Sequence, residues 1–458
     1  MVHKFKQLGY NIVIDADSNA VHVMDDCAFD MLDFVCAPMT EEMPPELPGK
    51  LPQYSAESVR EAYGELYALY SDGQLFAEDD YEKYSETMVK SPVKSMCLNV
   101  SHDCNLRCEY CFAQTGDFGG ERCIMPPEIG RKAIDFLIEK SANRENIELD
   151  FFGGEPLMAW DTVVETVNYA RSIEKQHGKN FRFTITTNGV LLDDEKIDYI
   201  NREMVNVVLS LDGRRETTDR IRKTLNGKSA YDVIVPKFQK LVKGRTNPSK
   251  TDYYVRATFT KYNLDFTEDV LHMRGLGFEQ LSAEPVVTDE KEPYALTEAD
   301  LPRIFSEYDR LCEVMANRTE DKFNFFHFMV DLDQGPCAIK RLRGCGCGND
   351  YVAVDPHGNI FPCHQFVGID KWKMGNLNDG TFDDEIKTYF AKTHLYSKQG
   401  CRDCWAKFYC SGGCNANSFI YEGDCRKPHK LSCELQRKRL ECALALAVDR
   451  AVKSQNDE

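Results

Sequence analysis

The cysteines of this chain are clustered, and their positions constrain its fold more than any other feature of the sequence. Of 19 cysteines, five fall between residues 97 and 123 and eleven between residues 337 and 442. A disulfide framework is typical of small secreted domains, whereas this chain has 458 residues. Clustered cysteines in a large chain indicate metal-holding loops instead. The isolated cysteines are expected to be ordinary apolar core residues, namely Cys27, Cys36, Cys97, Cys312 and Cys442.

The composition disfavours several other classes of protein. Apolar residues make up 42% of the chain and charged residues 28%, as in ordinary globular proteins. A net charge of −18 without a basic tract disfavours nucleic-acid binding, including RNA modification. No apolar stretch approaches the roughly 20 residues of a membrane span, and the first residues lack the apolar core of a signal peptide. We therefore expect a cytoplasmic protein without membrane or nucleic-acid partners.

The first 85 residues are predicted to form a small winged-helix-like domain. Its helices are separated by a proline-rich segment, which neither a helix nor a strand would carry, and the second helix begins at Ser55. A charged linker at 79–90 follows the domain. The expected elements are strands at 11–15, 21–24 and 74–77 and helices at 27–35 and 55–70.

The region 96–285 alternates between strands and helices. Six such strands imply a parallel sheet, as an open doubly wound sheet or a partial barrel, with ligands at the carboxyl ends of the strands. A helical stretch at 298–333 leads into a Gly- and Cys-rich region that ends in a helix at 433–452. The predicted strands are 96–100, 148–152, 182–186, 205–211, 253–259 and 280–283, and the helices 127–141, 161–176, 193–202, 231–243 and 265–275.

The first cysteine cluster directly follows the first of these strands. Cys104, Cys108 and Cys111 have the spacing C-x3-C-x2-C. Three thiolates on one short loop can bind three irons of a four-iron cluster and leave the fourth iron open for substrate or cofactor chemistry. On spacing alone, the alternatives are a zinc knuckle or a fully ligated ferredoxin-type site that uses Cys97 or Cys123.

The context of this loop resembles the radical S-adenosylmethionine (SAM) enzymes. Their signature has an aromatic residue just before the third cysteine, where this chain has Tyr110. The next strand ends in a segment similar to the family motif that binds the SAM amino group: Gly153, Gly154, Glu155 and Pro156. Glycines permit close backbone approach, and a carboxylate accepts from an ammonium group. The resemblance implies a partial (β/α)6 TIM-like barrel over 96–285.

The same resemblance implies further SAM-binding residues at the ends of later strands: Asn188, Ser210, Asp212 and Arg256. An arginine suits a bidentate bond to the SAM carboxylate. The implied chemistry is reductive cleavage of SAM to methionine and a 5′-deoxyadenosyl radical. That radical removes a hydrogen atom from an unactivated C–H bond.

The second cysteine cluster resembles the SPASM extension of these enzymes. The spacing C-x9–15-G-x4-C ends at Cys363, and C-x2-C-x5-C-x3-C and a last cysteine follow. Four of these cysteines alone could form a zinc ribbon, but the long match behind a radical SAM core favours iron–sulfur clusters. The resemblance assigns Cys345, Cys363 and Cys414 to auxiliary cluster I, and Cys401, Cys404, Cys410 and Cys433 to auxiliary cluster II.

One departure from the SPASM pattern concerns auxiliary cluster I. Fully ligated versions have another cysteine a few residues earlier, and neither Cys337 nor Cys347 has the expected spacing. If neither binds, one iron is open to a thiolate of the substrate, the natural ligand of such clusters. Cys425 is unassigned.

The whole chain resembles the maturases of six-cysteine SCIFF peptides, which are sactipeptides within the ribosomally made, post-translationally modified peptides (RiPPs). The resemblance implies a RiPP recognition element at 1–85, a radical SAM partial barrel at 86–310, a helical linker at 311–336 and a Cys-rich SPASM domain at 337–458. It also implies SAM and three [4Fe-4S] clusters as cofactors. The expected partners are a Cys-rich precursor peptide, bound through its leader, and an electron donor such as ferredoxin or flavodoxin.

The reaction implied by this resemblance is the formation of a thioether (sactionine) bond between a cysteine sulfur and a peptide backbone carbon, taken as Cα. Two alternatives stay open. One is a formylglycine-forming enzyme of the anaerobic sulfatase-maturing type, which should lack a leader-binding domain. The other, of a different class, is a zinc-ribbon binding or scaffold protein that uses no SAM.

Overall fold

The structure, a computed structural model, describes residues 1–87, 91–246, 252–318, 320–332 and 338–456. Cys337, a candidate for an additional cluster ligand, lies outside these ranges. Parts of the predicted linkers at 79–90 and 311–336 lie outside them as well. Among the described helices, none combines the length and apolar character needed to cross a bilayer.

The N-terminal region is a three-stranded antiparallel sheet in the order β1-β2-β3, packed against short helices. Asp25 and Ser55 cap two of these helices by accepting from the backbone N–H three residues later. The elements are β1 (Val2–Gln7), β2 (Tyr10–Asp15), β3 (Ala20–Val23), α1 (Asp26–Met31), α2 (Leu47–Lys50), α3 (Ala56–Ser71) and α4 (Lys83–Thr87).

The predicted strand at 74–77 is wrong. This segment runs without strand pairing, and the Ala77 N–H donates instead to Asp15 Oδ2 at 3.1 Å. The third strand of the sheet is β1, which was not predicted because its two apolar residues, Val2 and Phe5, do not alternate with period two.

The central region forms a parallel six-stranded barrel wall with helices outside, as predicted, and every predicted strand end lies within two residues of the observed one. The strands are β4 (Ser95–Ser101), β5 (Leu106–Cys108), β6 (Asn146–Gly153), β7 (Asn180–Thr187), β8 (Met204–Ser210), β9 (Arg222–Thr224), β10 (Asp252–Phe259) and β11 (Gln280–Pro285). All except β5 and β9, which pair with each other, belong to the wall. The helices are α5 (Pro127–Lys140), α6 (Trp160–Ile173), α7 (Asp194–Glu203), α8 (Arg215–Ile221), α9 (Ala230–Lys243) and α10 (Phe266–Gly275).

Alternation along each strand separates the core from the barrel interior. In β6, Leu149 and Phe151 are fully buried in the main apolar cluster, whereas Glu148, Asp150 and Phe152 line the interior. Successive residues of a strand point to opposite faces, so polar side chains collect inside the barrel. Polar side chains therefore line the barrel interior below the carboxyl ends of the strands.

The C-terminal region continues the barrel sheet. Strand β12 (Asn324–Phe325) adds beside β11, and β13 (Tyr351–Val354) pairs in parallel with β4. The other elements are α11 (Leu301–Ala316), α12 (Ala338–Arg343), β14 (Asn359–Phe361), β15 (Gly375–Asn376), β16 (Thr381–Phe382), α13 (Asp384–Ala391), α14 (Lys407–Cys410), α15 (Asn415–Glu422) and α16 (Lys430–Asn456).

The predicted helix at 298–333 is correct only through Ala316. Beyond it the chain forms β12 and a 3-10 turn at Phe326–Phe328, which were missed because two- and three-residue elements carry no periodic signal. Within the described residues, the six wall strands and β12–β16 form one eleven-stranded sheet, in the order β12-β11-β10-β8-β7-β6-β4-β13-β14-β15-β16. The Cys-rich region is therefore continuous with the barrel.

Candidate functional site

The loop with the first cysteine cluster leaves the carboxyl end of β4 and is fixed to the barrel by a short ladder. Strand β5 within this loop pairs antiparallel with β9, and Cys108 lies opposite Arg222 in the register. The ladder places Cys104, Cys108 and Cys111 at the barrel end where β6 and β7 also end. This is the edge at which parallel sheets bind ligands.

A buried hydrogen-bonded group supports the cysteine loop. The Tyr110 hydroxyl lies 2.9 Å from both carboxylate oxygens of Asp212, to which it donates. Arg222 donates through Nε to Asp212 Oδ2 at 2.9 Å and through Nη2 to the Tyr110 hydroxyl at 2.6 Å. The Thr258 N–H donates to Asp212 Oδ1 at 3.0 Å. Asp212 is fully buried, so its carboxylate is committed to protein partners.

Arg222 is a residue of this site that sequence reasoning missed. It belongs to no recognisable motif, and only the pairing of β5 with β9 brings it opposite Cys108. The surrounding positive charge favours the thiolate of Cys108, although burial outweighs it and raises the pKa of that thiol to about 12.

The glycine–glutamate turn after β6 lies directly against the cysteine loop. A Cβ atom added to Gly154 would be 2.2 Å from the carbonyl oxygen of Asp103, so only glycine permits this approach. Glu155 Oε1 accepts from the Thr187 hydroxyl at 2.7 Å, and Oε2 accepts from the Asn188 N–H at 2.8 Å. Burial raises the pKa of Glu155 to about 7. Glu155 thus joins the ends of β6 and β7.

The side chain of Asn188 contacts the cysteine loop itself. Its Nδ2 donates to Asn105 Oδ1 at 2.8 Å and lies 3.6 Å from Cys104 Sγ. The buried Nδ2 of Asn105 has no hydrogen-bond partner within the described residues. Hydrogen-bond donors near cluster sulfur are one way in which proteins tune iron–sulfur clusters. The orphaned donor therefore fits an iron–sulfur cluster on this loop.

Ser210 and Arg256 lie side by side on β8 and β10, further along the sheet from the loop. Arg256 Nη2 is 4.0 Å from Glu284 Oε1, which is also 3.1 Å from His327 Nε2. Burial opposes the ionisation of Glu284, but His327 and the arginines outweigh it and hold the pKa of Glu284 well below its usual range. The predicted SAM-binding residues thus form two groups. The group at the loop comprises Tyr110, Gly153, Gly154, Glu155, Asn188 and Asp212, and the other comprises Ser210 and Arg256.

The donor chemistry of the loop fits an iron–sulfur cluster. Burial raises the pKa of Cys104 to about 11, so this thiol keeps its proton until a metal replaces it. Thiolates are the usual ligands of iron–sulfur clusters, and this short loop carries three of the cysteines.

The barrel encloses a cavity of about 1120 Å³. His364, which lines it, packs on Phe152 with ring centroids 5.0 Å apart and on Phe112 at 5.6 Å. Burial lowers the pKa of His364 to about 4. Drug-sized ligands occupy about 300–1,000 Å³, so this cavity has room for peptide side chains. Its wall includes Cys97, Asp150, Phe152, Thr184, Arg256, Tyr351 and His364.

Four cysteines of the C-terminal region come together beside this cavity: Cys345, Cys347, Cys363 and Cys414. Cys363 immediately precedes His364, and the Gly348 N–H donates to the Pro362 carbonyl at 2.9 Å, which sets Cys347 close to Cys363. The Cys347 thiol lowers the pKa of Cys363, whereas burial raises that of Cys347 well above its ordinary value. Cys345 and Cys414 are electrostatic neighbours of Cys363. The structure thus brings together the three residues assigned to auxiliary cluster I and adds Cys347.

The four cysteines assigned to auxiliary cluster II line a second cavity, of about 550 Å³: Cys401, Cys404, Cys410 and Cys433. Both cations and carboxylates line this cavity, among them Arg437 and Glu434. Burial raises the pKa of Cys401 to about 12, while the nearby Lys398 opposes this shift. Cys425 is assigned to neither group, since it is fully buried and its pKa responds to Tyr389, Lys398 and Asp424 rather than to another cysteine.

Two family models match the chain. Residues 98–255 match the radical SAM superfamily, and residues 345–405 match SPASM, an iron–sulfur cluster-binding domain. The chain contains a radical SAM domain followed by a SPASM domain. These domains imply SAM and [4Fe-4S] clusters as cofactors and disfavour the zinc-ribbon alternative.

Curated relatives are similar to most of the chain at low identity. The radical SAM cyclopropyl synthase TigE of Paramaledivibacter caminithermalis is 21% identical over 81% of this chain and 78% of its own length. The cysteine-type anaerobic sulfatase-maturating enzyme of Clostridium perfringens is 24% identical over 70% of this chain and 89% of its own.

Solved structures share the radical SAM–SPASM fold of this chain. Native anSMEcpe with bound AdoMet and Cp18Cys peptide has a TM-score of 0.62 at 20% identity, covering 79% of this chain and 99% of that one. Streptococcus suis SuiB bound to precursor peptide SuiA has a TM-score of 0.52 at 16% identity, covering 93% of this chain and 97% of that one. The predicted mixed α/β fold is confirmed.

Proposed function

We propose that this chain is a radical SAM peptide maturase that forms a thioether between a cysteine sulfur and a backbone carbon, taken as Cα, of a ribosomally made precursor peptide. The observation that carries the proposal is the contact between the rings of Phe112 and His364. Phe112 follows Cys111, and His364 follows Cys363. The loops that carry the two cysteine groups therefore meet at these rings, and His364 also lines the peptide-sized cavity of the barrel. A reaction that joins two parts of a peptide requires such proximity.

The residues at the loop would hold the first cluster and orient SAM. When bound, SAM and the cluster on Cys104, Cys108 and Cys111 supply a 5′-deoxyadenosyl radical that takes a hydrogen atom from the substrate. Gly154 lets the backbone approach the SAM amino group, and Arg256 suits the SAM carboxylate.

The SPASM cysteines would hold two auxiliary clusters, which makes three [4Fe-4S] clusters in all. We infer that Cys347 supplies the fourth thiolate of auxiliary cluster I, because the bond from the Gly348 N–H to the Pro362 carbonyl holds it close to Cys363, whose pKa the Cys347 thiol lowers. The substrate cysteine then remains in the barrel cavity rather than binding iron. When bound, the auxiliary clusters supply a path for the surplus electron toward a partner such as ferredoxin or flavodoxin.

The N-terminal sheet would bind the leader of the precursor. Within the described residues, β3 has no strand on its outer side, and Val23 at its end is 49% exposed. The other edge strand, β1, is occupied by α16, since His3 Nε2 lies 3.0 Å from Glu441 Oε1. An extended peptide that pairs with β3 would satisfy its free backbone groups, with side-chain pockets setting specificity.

A second candidate function is oxidation of a serine or cysteine to formylglycine. The sulfatase-maturating relative and the anSMEcpe fold favour it. The N-terminal sheet favours thioether formation instead, because a sulfatase-maturing enzyme has no need of a leader-binding domain. The structure of SuiB bound to a precursor peptide also covers more of this chain than anSMEcpe does.

The two candidates give products of different mass. The protein, purified without oxygen and reduced with dithionite, is incubated with SAM and a synthetic six-cysteine peptide that carries its leader. Thioether formation removes two hydrogen atoms per bond and consumes a free thiol. Formylglycine formation from cysteine removes the sulfur atom instead.

The matched control replaces Cys104, Cys108 and Cys111 with alanine and should form neither product. Removing the leader from the peptide should reduce thioether formation at low peptide concentration. The SAM cleavage that the enzyme carries out even without peptide should continue. Sulfur loss, or no change of the peptide alongside normal SAM cleavage, would overturn the thioether proposal.

A further inference from the structure

We propose that Asp150 accepts the thiol proton of the substrate cysteine inside the barrel. This inference rests on the proposed function. With Cys347 beside Cys363, auxiliary cluster I has four protein thiols available. A metal-bound thiol loses its proton outright, but a thiol left in the cavity needs a protein base, because its ordinary pKa is about 8.5.

The position of Asp150 suits this role. It lies on the inward face of β6, paired in register with Cys97 of β4 and Thr184 of β7. All three line the barrel cavity, together with His364. Asp150 is therefore on the wall of a cavity that reaches His364, the residue after Cys363.

The other carboxylates near the carboxyl end of the barrel are already occupied. Asp212 is paired with Arg222, and Glu284 with His327. Glu155 accepts from two backbone N–H groups and from the Thr187 hydroxyl. No basic side chain within the described ranges forms an ion pair with Asp150.

The groups that face Asp150 favour proton uptake. Desolvation and the nearby charge of Glu148 raise the pKa of Asp150 from 3.8 to about 6, against a hydrogen bond from Thr184 that favours the anion. Cys97 on β4 and Tyr351 on β13 are neutral, because burial raises both of their pKa values. Asp150 is thus an anion at pH 7 that readily takes a proton.

In this step the substrate S–H bond breaks and its proton goes to an Asp150 oxygen. The sulfur then forms a bond to the substrate carbon, which has already lost a hydrogen atom to the 5′-deoxyadenosyl radical. One electron leaves to the acceptor named above. Proton transfer from a thiol to a carboxylate of lower pKa is unfavourable by itself, but formation of the C–S bond makes the overall step favourable.

The first test does not need a peptide. Infrared difference spectra of the holoprotein are recorded from pH 4.5 to 8 for the wild type, Asp150→Asn and Glu279→Gln, which removes another carboxyl from the cavity. The carboxylic-acid signal of Glu155, whose pKa is about 7, should titrate in all three proteins. The wild type and Glu279→Gln should show a second component that titrates near pH 6 and that Asp150→Asn lacks. A titration curve of Asp150→Asn identical to that of the wild type would overturn the proposal.

The second test separates hydrogen abstraction from bond formation. In a single turnover with the leader-bearing six-cysteine peptide, Asp150→Asn should release 5′-deoxyadenosine as the wild type does. Its thioether formation should be slower by about 10²–10⁴-fold, as for loss of a general base. In the wild type and Asp150→Glu the thioether rate should rise with pH through the pKa of the carboxyl, a dependence that Asp150→Asn lacks.

Equal loss of both products in Asp150→Asn, or an unchanged thioether rate, would overturn the assignment of Asp150. Wild-type protein that cleaves SAM but forms no thioether would overturn the proposed function itself, and the role of Asp150 with it.

Discussion

At the scale of single residues, the cysteine loop depends on one buried ion pair. The side chains of Arg222 and Asp212 are 8% and 0% exposed. Such pairs add little net stability, but removing one partner leaves a buried charge and costs about 3–5 kcal/mol. Since Tyr110 belongs to the same hydrogen-bonded group, that cost falls on the loop itself.

Arg222→Met should therefore lower the iron content by about four per chain and weaken SAM binding, because Asp212 and Tyr110 lose their shared donor. Iron analysis and equilibrium dialysis of SAM measure this. Arg220→Met is the matched control, since Arg220 stacks on Tyr262, at 3.6 Å, and has no ion pair within the described residues. Full iron content and unchanged SAM affinity in Arg222→Met would contradict the supporting role.

The assignment of Cys347 is also decided at this scale. In Cys347→Ala, the electron paramagnetic resonance spectrum of reduced auxiliary cluster I should change and become sensitive to added 2-mercaptoethanol, because one iron is then open. Cys425→Ala, in which a buried cysteine outside both groups is replaced, should keep the wild-type spectrum. A Cys347→Ala spectrum identical to that of the wild type would restore the open-iron hypothesis.

At the scale of elements, helix α14 links the auxiliary cluster II region to the N-terminal sheet. Lys407, 3% exposed, lies 2.6 Å from both Asp17 Oδ1 and Asp79 Oδ2. Trp405 stacks on His3 with ring centroids 3.9 Å apart. The segment between Cys404 and Cys410 therefore supports the peptide-binding domain, and metal loading there should influence how firmly that domain is held.

Lys407→Met should increase hydrogen exchange in β1–β3 and proteolysis near residue 79, because two carboxylates lose their buried cation. Burial opposes the ionisation of Asp79, but bonds from Lys407 and Tyr396 outweigh it and hold the pKa of Asp79 below 3.8. Its stabilising contribution is therefore complete above that pH and is lost as the pH falls through the lowered pKa. Lys291→Met, at a side chain 90% exposed, is the control, and equal exchange in both variants would refute the link.

At the scale of the whole molecule, one sheet connects the two metal-binding regions. Strand β13 of the C-terminal region pairs with β4, the strand that leads into the first cysteine loop. This pairing brings the two regions together, and residues of both the barrel and the C-terminal region line the cavity, among them Phe152 and His364. The domain boundaries predicted from the sequence remain a proposal, but the sheet crosses the one near residue 337.

Iron and sulfide analysis tests the molecule as a whole. Protein purified without oxygen should contain roughly twelve irons per chain, as three cubane clusters require. Alanine at Cys104, Cys108 and Cys111 should remove about four of them, as should alanine at Cys401, Cys404, Cys410 and Cys433. Zinc without iron would refute the enzymatic mechanism.

Much of the barrel could be predicted because its strands are long and regularly separated by helices. The positions of β6 and β7 could be predicted from alternating apolar residues that are bounded by turn residues. The short strands β13–β16 could not be found, since two to four residues carry no period, and their pairing depends on chain segments far away in sequence. Arg222 was missed for the same reason, because its role depends on pairing with Cys108.

The sequence by itself determined the order of the six wall strands, the two cysteine groups and the resemblance that the family models support, because cysteine spacing and strand alternation are local properties. Only the tertiary structure decided that Cys347 lies close to Cys363, that Asp212 is committed to Arg222 and Tyr110, and that Asp150 forms no ion pair within the described residues. Each of these depends on which side chains meet after the sheet closes. Contacts of that kind are set by the packing of distant segments, which no local pattern encodes.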